Sequence, residues 1–199
     1  MTDLLVLHTL RCMGFTDLER IADVTGLSVP ETESRLIDLA VDGFVTKTPG
    51  TFGGWGVTEP GKAEDIRLVA EELTAAGTYP AVARAYAAFL VLNPELLDLC
   101  SAWHMRTIGG VPELNDHGDA VYDGRVLGRF ADLHSRATPV CESLTAALPR
   151  FGSYLPRLLS ALSRAEKGEM NHLVDSTTSY HSVWFQLHED LLATMGIPR

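Results

Sequence analysis

Two histidines and two aromatic residues near the C-terminus are the side chains with most chemistry to offer. His181, Trp184, Phe185 and His188 recur at i, i+3, i+4 and i+7, so a helix carries all four on one face. At ~1.5 Å rise per residue the two imidazoles stand about 10 Å apart along the axis, too far for the usual chelate of histidines at i, i+4. Two readings stay open for this face: core histidines hydrogen-bonded inside a helical bundle, or imidazoles acting as polar anchors in a mostly apolar ligand pocket. A second group is Trp103-His104-x-Arg106 followed by Asn115-Asp116-His117-x-Asp119 and Tyr122-Asp123. Its acids invite a calcium reading, but the D-x-[DN]-x-[DN]-G spacing with a later glutamate is absent, which rejects an EF-hand and leaves a loop that caps the next helix. If the two groups meet, Arg106 or Arg157 supplies the charge for a carboxylate or phosphate. The candidate ligand-binding residues are therefore Trp103, Arg106, Asn115, Asp116, His117, Tyr122, Arg157, Tyr180, His181, Trp184 and His188.

Other chemistry is scarce. No G-x-x-x-x-G-K-[ST], H-E-x-x-H, C-x-x-C or G-x-S-x-G occurs, so neither a catalytic residue nor a cofactor is expected. Cys12, Cys100 and Cys141 are widely spaced and odd in number; they suit neither a disulfide framework nor a compact metal site, and point to a reducing cytoplasm. The apolar run after Asp3 is too short for a signal-peptide core, and no stretch approaches the ~20 apolar residues of a membrane span. A soluble protein with no membrane partner is expected.

Helices must position these groups. Residues 78–199 read as an all-α bundle. Pro80 and Pro94 each open a helix, the second capped by Asn93, giving 81–92 and 95–106. Asp119 caps a helix to about residue 137, Thr138-Pro139 restarts it, and Pro149 ends it. Leu155, Leu158, Leu159 and Leu162 mark a helix over 154–165, and the last runs over 176–195 to a stop at Gly196. Residues 1–77 read differently. Helices are expected over 3–13, over 17–24 behind Thr16, and over 29–42, where Ser28 and Glu31 form a capping box and Gly43 stops the helix. Two β-prone runs, 44–47 and 55–58, flank a glycine-rich tip, and Thr58 caps a helix to about residue 76.

Helix, helix and hairpin in that order, with Trp55-Gly56-Val57-Thr58-Glu59-Pro60-Gly61 after the tip, resemble the winged helix of MarR-type transcriptional regulators. The resemblance implies double-stranded DNA as partner, with Ser34 and Arg35 on the recognition helix and Lys47, Thr48 and Thr51 on the wing as contacts. It also implies a homodimer whose recognition-helix spacing a small molecule in the bundle would bias; the surplus of apolar helical stripe beyond the wing points to a dimer too. The segments Asn115-Asp116-His117, Tyr122-Asp123, Tyr180-His181, Trp184-Phe185 and Leu187-His188-Glu189-Asp190 resemble a helical module at the C-terminal end of some bacterial phosphoenolpyruvate-utilising, pyruvate phosphate dikinase-like proteins. No phosphohistidine or nucleotide-grasp domain accompanies it here, so that resemblance implies a partner or metabolite rather than catalysis.

Charge argues against DNA. The chain carries a formal charge of −10, and its first 77 residues hold 6 Lys+Arg against 13 Asp+Glu, compared with 10 against 13 in the remainder. Glu31, Asp38 and Asp42 sit on or near the face that would enter a groove, where phosphate repels them. The alternative expectation is a module that docks on a phosphoenolpyruvate-utilising enzyme or another protein and binds no DNA.

Overall fold

The computed structural model describes residues 2–50 and 53–198. It is mainly helical, with two small antiparallel hairpins, and it divides into two compact units: the chain up to Tyr79 together with the segment from Gln186 onward, and the chain from Pro80 to Phe185. Among the described residues no single helix is long and apolar enough to cross a membrane.

The first unit begins with α1 (Thr2–Met13), α2 (Leu18–Thr25) and α3 (Val29–Val41). Side-chain caps fix where two of these start. Asp17 accepts from the Arg20 amide and Ser28 from the Glu31 amide, each satisfying a donor the helix leaves open. Thr16, the expected cap of α2, is used otherwise: its N–H and C=O pair with the C=O and N–H of Trp55, at 3.0 and 2.7 Å. Trp55 lies in β2 (Gly54–Val57), which pairs antiparallel with β1 (Val45–Thr48) in the register Val45 to Val57 and Thr48 to Gly54. Helical periodicity sends Val6, Leu7, Leu10, Ile21, Leu36 and Leu39 inward, where they pack with Val45 and Trp55 into one core.

Thr58 caps α4 (Glu59–Ala76) by accepting from the Gly61 amide at 3.1 Å, and its own hydroxyl donates to the Gly43 carbonyl at 2.6 Å. A Cβ at Gly61 would sit 1.9 Å from the Phe44 carbonyl oxygen, so only glycine lets the first turn of α4 lie against the chain leaving α3.

The second unit departs from the expected bundle in three places. First, α5 (Tyr79–His104) runs unbroken through Pro94, and α6 (Ala120–Ala147) through Pro139. Both prolines face solvent, where water can serve the carbonyl each leaves unbonded. The buried faces on either side, Leu92, Leu96 and Leu99 in α5 and Ala137, Cys141 and Leu144 in α6, hold each helix together across the defect. Second, the loop after Trp103 is a hairpin. β3 (Met105–Ile108) and β4 (Val111–Leu114) pair across Gly109-Gly110, which have φ of 58° and 87°. A two-residue turn with positive φ at both positions is a hairpin signal that glycine pairs supply. Third, α8 (Tyr180–Met195) starts four residues later than expected, because Ser179 caps it by accepting from the Ser182 amide at 3.1 Å. Between α6 and α8 lies α7 (Tyr154–Glu166), which buries Leu158, Ala161 and Leu162 while Leu159 is exposed.

Candidate functional site

On α3 the outward residues are Val29, Pro30, Glu31, Glu33, Ser34, Ile37, Asp38 and Val41. Arg35, the one cation of this helix, is held between two acids, with Nη1 3.7 Å from Asp3 and 3.8 Å from Asp38. Ile37 is 51% and Val41 82% exposed, one helical turn apart, so the face is apolar along its ridge and acidic along its flanks. Lys47, exposed on β1, places its ammonium 5.3 Å from the ring centroid of Trp55, its cross-strand partner. Ser34 and Thr48 are exposed. Thr51 lies outside the described residues.

The hairpin group is brought together as a hydrogen-bonded lock. Asn115, buried, donates through Nδ2 to the Trp103 carbonyl at 3.1 Å and to Asp123 Oδ1 at 2.8 Å. His117 Nδ1 lies 3.0 Å from Asp123 Oδ2, and its ring packs on Trp103 with centroids 4.5 Å apart. Holding His117 there needs a left-handed backbone, φ 56°, an unusual conformation for a residue with a side chain. Tyr122 donates from its hydroxyl to the Ala102 carbonyl at 2.8 Å, and Arg106 Nη2 donates to Asp116 at 2.8 Å. Asp119 caps α6 by accepting from the Val121 and Tyr122 amides. These bonds, made among the group and to the Ala102 and Trp103 carbonyls, tie the hairpin to the start of α6, while Arg106 Nε is buried without a hydrogen bond among the described residues. Asp123, absent from the expected ligand set, is the hub.

On α8 the buried stripe is Tyr180, Val183, Trp184, Leu187 and Leu191, set one position away from the expected His181, Trp184, Phe185, His188 face. His181 and His188 are half-buried and Phe185 is 41% exposed. Trp184 donates from Nε1 to Asn93 Oδ1 and stacks on Phe89; Tyr180 stacks edge-on against Phe130, with its hydroxyl 3.3 Å from His134 Nδ1. Here the core reading of the aromatic residues fits the packing better than the pocket reading. Arg157 lies over the Tyr154 ring, 5.6 Å from its centroid. Burial lowers the His181 imidazole below its ordinary value, assisted by repulsion from His104.

A different constellation, missed by sequence reasoning, is buried in the first unit. His8 Nδ1 lies 2.9 Å from Asp65 Oδ1, His8 Nε2 lies 3.0 Å from Asp190 Oδ1, and Cys12 Sγ lies 3.5 Å from the same Nε2. All four side chains are buried. Arg11 Nε is 3.8 Å from Asp65 Oδ2, an oxygen that accepts no hydrogen bond among the described residues, and Thr194 donates to Asp190 Oδ1 at 3.0 Å. Burial alone would pull the His8 imidazole down, but electrostatic interaction with Cys12 and Asp190 and hydrogen bonds to Asp190 and Asp65 outweigh it and hold His8 well above its ordinary value. The arrangement keeps a cationic ring between two carboxylates. His8 and Cys12 are four residues apart on a helix, a visible spacing; their partners come from α4 and α8, which no local pattern could supply. Beside Cys12 opens a cavity of about 240 Å³ lined by Arg11, Cys12, Glu189, Leu192, Ala193, Ile197 and Pro198. Comparison of the chain with protein-family models, with characterised proteins and with solved structures finds no match.

Proposed function

We propose that the first unit is a winged helix that serves as a regulatory protein-docking module, and that its α3 face takes a partner segment with an apolar ridge and basic flanks. The observation that carries this reading is the fate of α3: Arg35 is neutralised between Asp3 and Asp38 while Ile37 and Val41 stand exposed beside it. A helix entering the major groove relies on free cations to hold phosphates, and this one presents acid and hydrocarbon. A phosphoenolpyruvate-utilising enzyme is the partner class that the C-terminal resemblance suggests.

The second reading is a DNA-binding regulator acting as a homodimer with a small-molecule effector. It is favoured by Ser34, Lys47 and Thr48 all being exposed on α3 and β1, where a winged helix meets DNA. Fluorescence anisotropy with labelled random duplex and with the DNA upstream of the coding sequence, at low salt, separates the two. The docking reading expects no binding to either. Binding with a log-log salt slope of about −2 to −4 per dimer, weakened by Arg35→Ala, would establish the DNA reading instead.

A further inference from the structure

The buried cluster around His8 has the donor set and spacing of a metal site. Imidazole Nε2, thiol Sγ and carboxylate oxygen of His8, Cys12 and Asp190 lie within 4.8 Å of one another. Zinc bonds of ~2.0 Å to nitrogen or oxygen and ~2.3 Å to sulfur, opened to the tetrahedral angle, place ligand atoms about 3.3–3.6 Å apart. The 3.0 Å between His8 and Asp190 and the 3.5 Å between His8 and Cys12 are close to that already. Two ligands at i, i+4 on one helix share a face, as a chelate requires.

We propose that His8 Nε2, Cys12 Sγ and Asp190 Oδ1 bind a divalent cation of the zinc class. Three further features of the surroundings belong to such a site. Asp65 sits on the other ring nitrogen of His8, where a carboxylate fixes the tautomer that turns the Nε2 lone pair toward the metal. Asp65 Oδ2 is itself buried without a hydrogen bond, so the cluster holds more acceptor capacity than its protons can serve. A cavity reaches one of the three ligands, Cys12, and Glu189 lines it too, so the thiol side of the site is the side an ion would approach from. Thiolate and imidazole ligands select zinc or cobalt over magnesium or calcium, which take oxygen donors. Charge balances on exchange: the entering dication displaces the proton on His8 Nε2 and the proton on Cys12, and the buried cluster keeps its net charge.

Cobalt is the probe. Full-length protein stripped with a chelator and kept reduced with a phosphine is titrated with Co²⁺ and followed by absorption. The expected result is saturation at one equivalent, with a thiolate-to-cobalt charge-transfer band and the intense visible bands of a tetrahedral ion. Cys12→Ala, checked for folding by circular dichroism, loses the charge-transfer band. The double variant Cys100→Ala/Cys141→Ala, whose one thiol is the native Cys12, keeps it. Asp65→Asn removes no ligand and weakens cobalt about 10- to 100-fold with the band retained. A folded wild type with no band at excess cobalt, a band surviving in Cys12→Ala, or a band lost in the double variant would each overturn the site.

Discussion

The indole N–H of Trp184 donates to Asn93 Oδ1 at 2.9 Å while the ring stacks on Phe89, centroids 4.7 Å apart. Asn93 is thereby diverted from the helix-capping role that its place before Pro94 suggests, and Trp184 fills a core. Trp184→Ala should cost about 3–5 kcal/mol through the cavity it leaves, and Trp184→Phe about 1–3 kcal/mol through the unpaired Asn93 oxygen. Urea midpoints at unchanged m-value measure both. A neutral Trp184→Ala would contradict the packing.

The outer face of α5 carries Leu90, Val91 and Leu97, which are 42%, 77% and 50% exposed, with Pro94 between them and exposed Ala87 one turn before. A helical stripe of that length left in water is costly, which supports a homodimer formed across it. Light scattering should give twice the mass of one chain at micromolar concentration, and Val91→Glu with Leu97→Glu should halve it without lowering helix content. Wild type already at the mass of one chain would refute the dimer.

His134 and His181 are both held below the ordinary imidazole value by burial, opposed in His134 by Glu166 and reinforced in His181 by His104. Both are neutral at pH 7 in the folded protein. As pH falls through the unfolded value near 6.5, the unfolded chain takes up protons first, so these two sites remove stability until their folded values are reached. Between pH 7 and about pH 5 the His134→Gln variant should therefore lose less melting temperature than wild type. An equal loss in the variant would show that His134 titrates as in the unfolded chain, and a steeper loss that folding raises its value; either refutes the burial effect.

Cys100 is pushed up to about 12 by burial with Asp175 nearby, and Cys141 to about 11 by burial with Glu142 nearby. Neither thiol carries appreciable thiolate at pH 8, and both are buried. Iodoacetamide at pH 8 should alkylate them far more slowly in buffer than in urea, as mass spectrometry of the two peptides would record. Equal rates would mean that these helices open readily.

Much of the fold was legible because helix starts are written locally. Ser28, Thr58 and Asp119 cap α3, α4 and α6 as their spacing implies. Pro94 and Pro139 misled for the converse reason: a local penalty of ~3 kcal/mol is outweighed by long buried faces that only the packed structure assembles. The Gly109-Gly110 turn could have been read as a hairpin, given β-prone Thr107, Ile108 and Val111 around it. On α8 the helical period was right and its phase was off by one residue, since Tyr180 and Leu187 rather than His181 and His188 face the core. The cluster around His8 was illegible beyond its i, i+4 pair, because Asp65 and Asp190 are brought in by tertiary structure alone.

The pairing of His8 with Asp190 also bears on how the chain is made. Nearly the whole sequence separates the two partners, so α1 to α4, and the second unit after them, have been synthesised before α8 can reach His8. Until then Asp65 and His8 lack their third member, and the first unit must wait, open on one side, for α8 to emerge. Helix α1, made before every other element described, is among the last to be sealed.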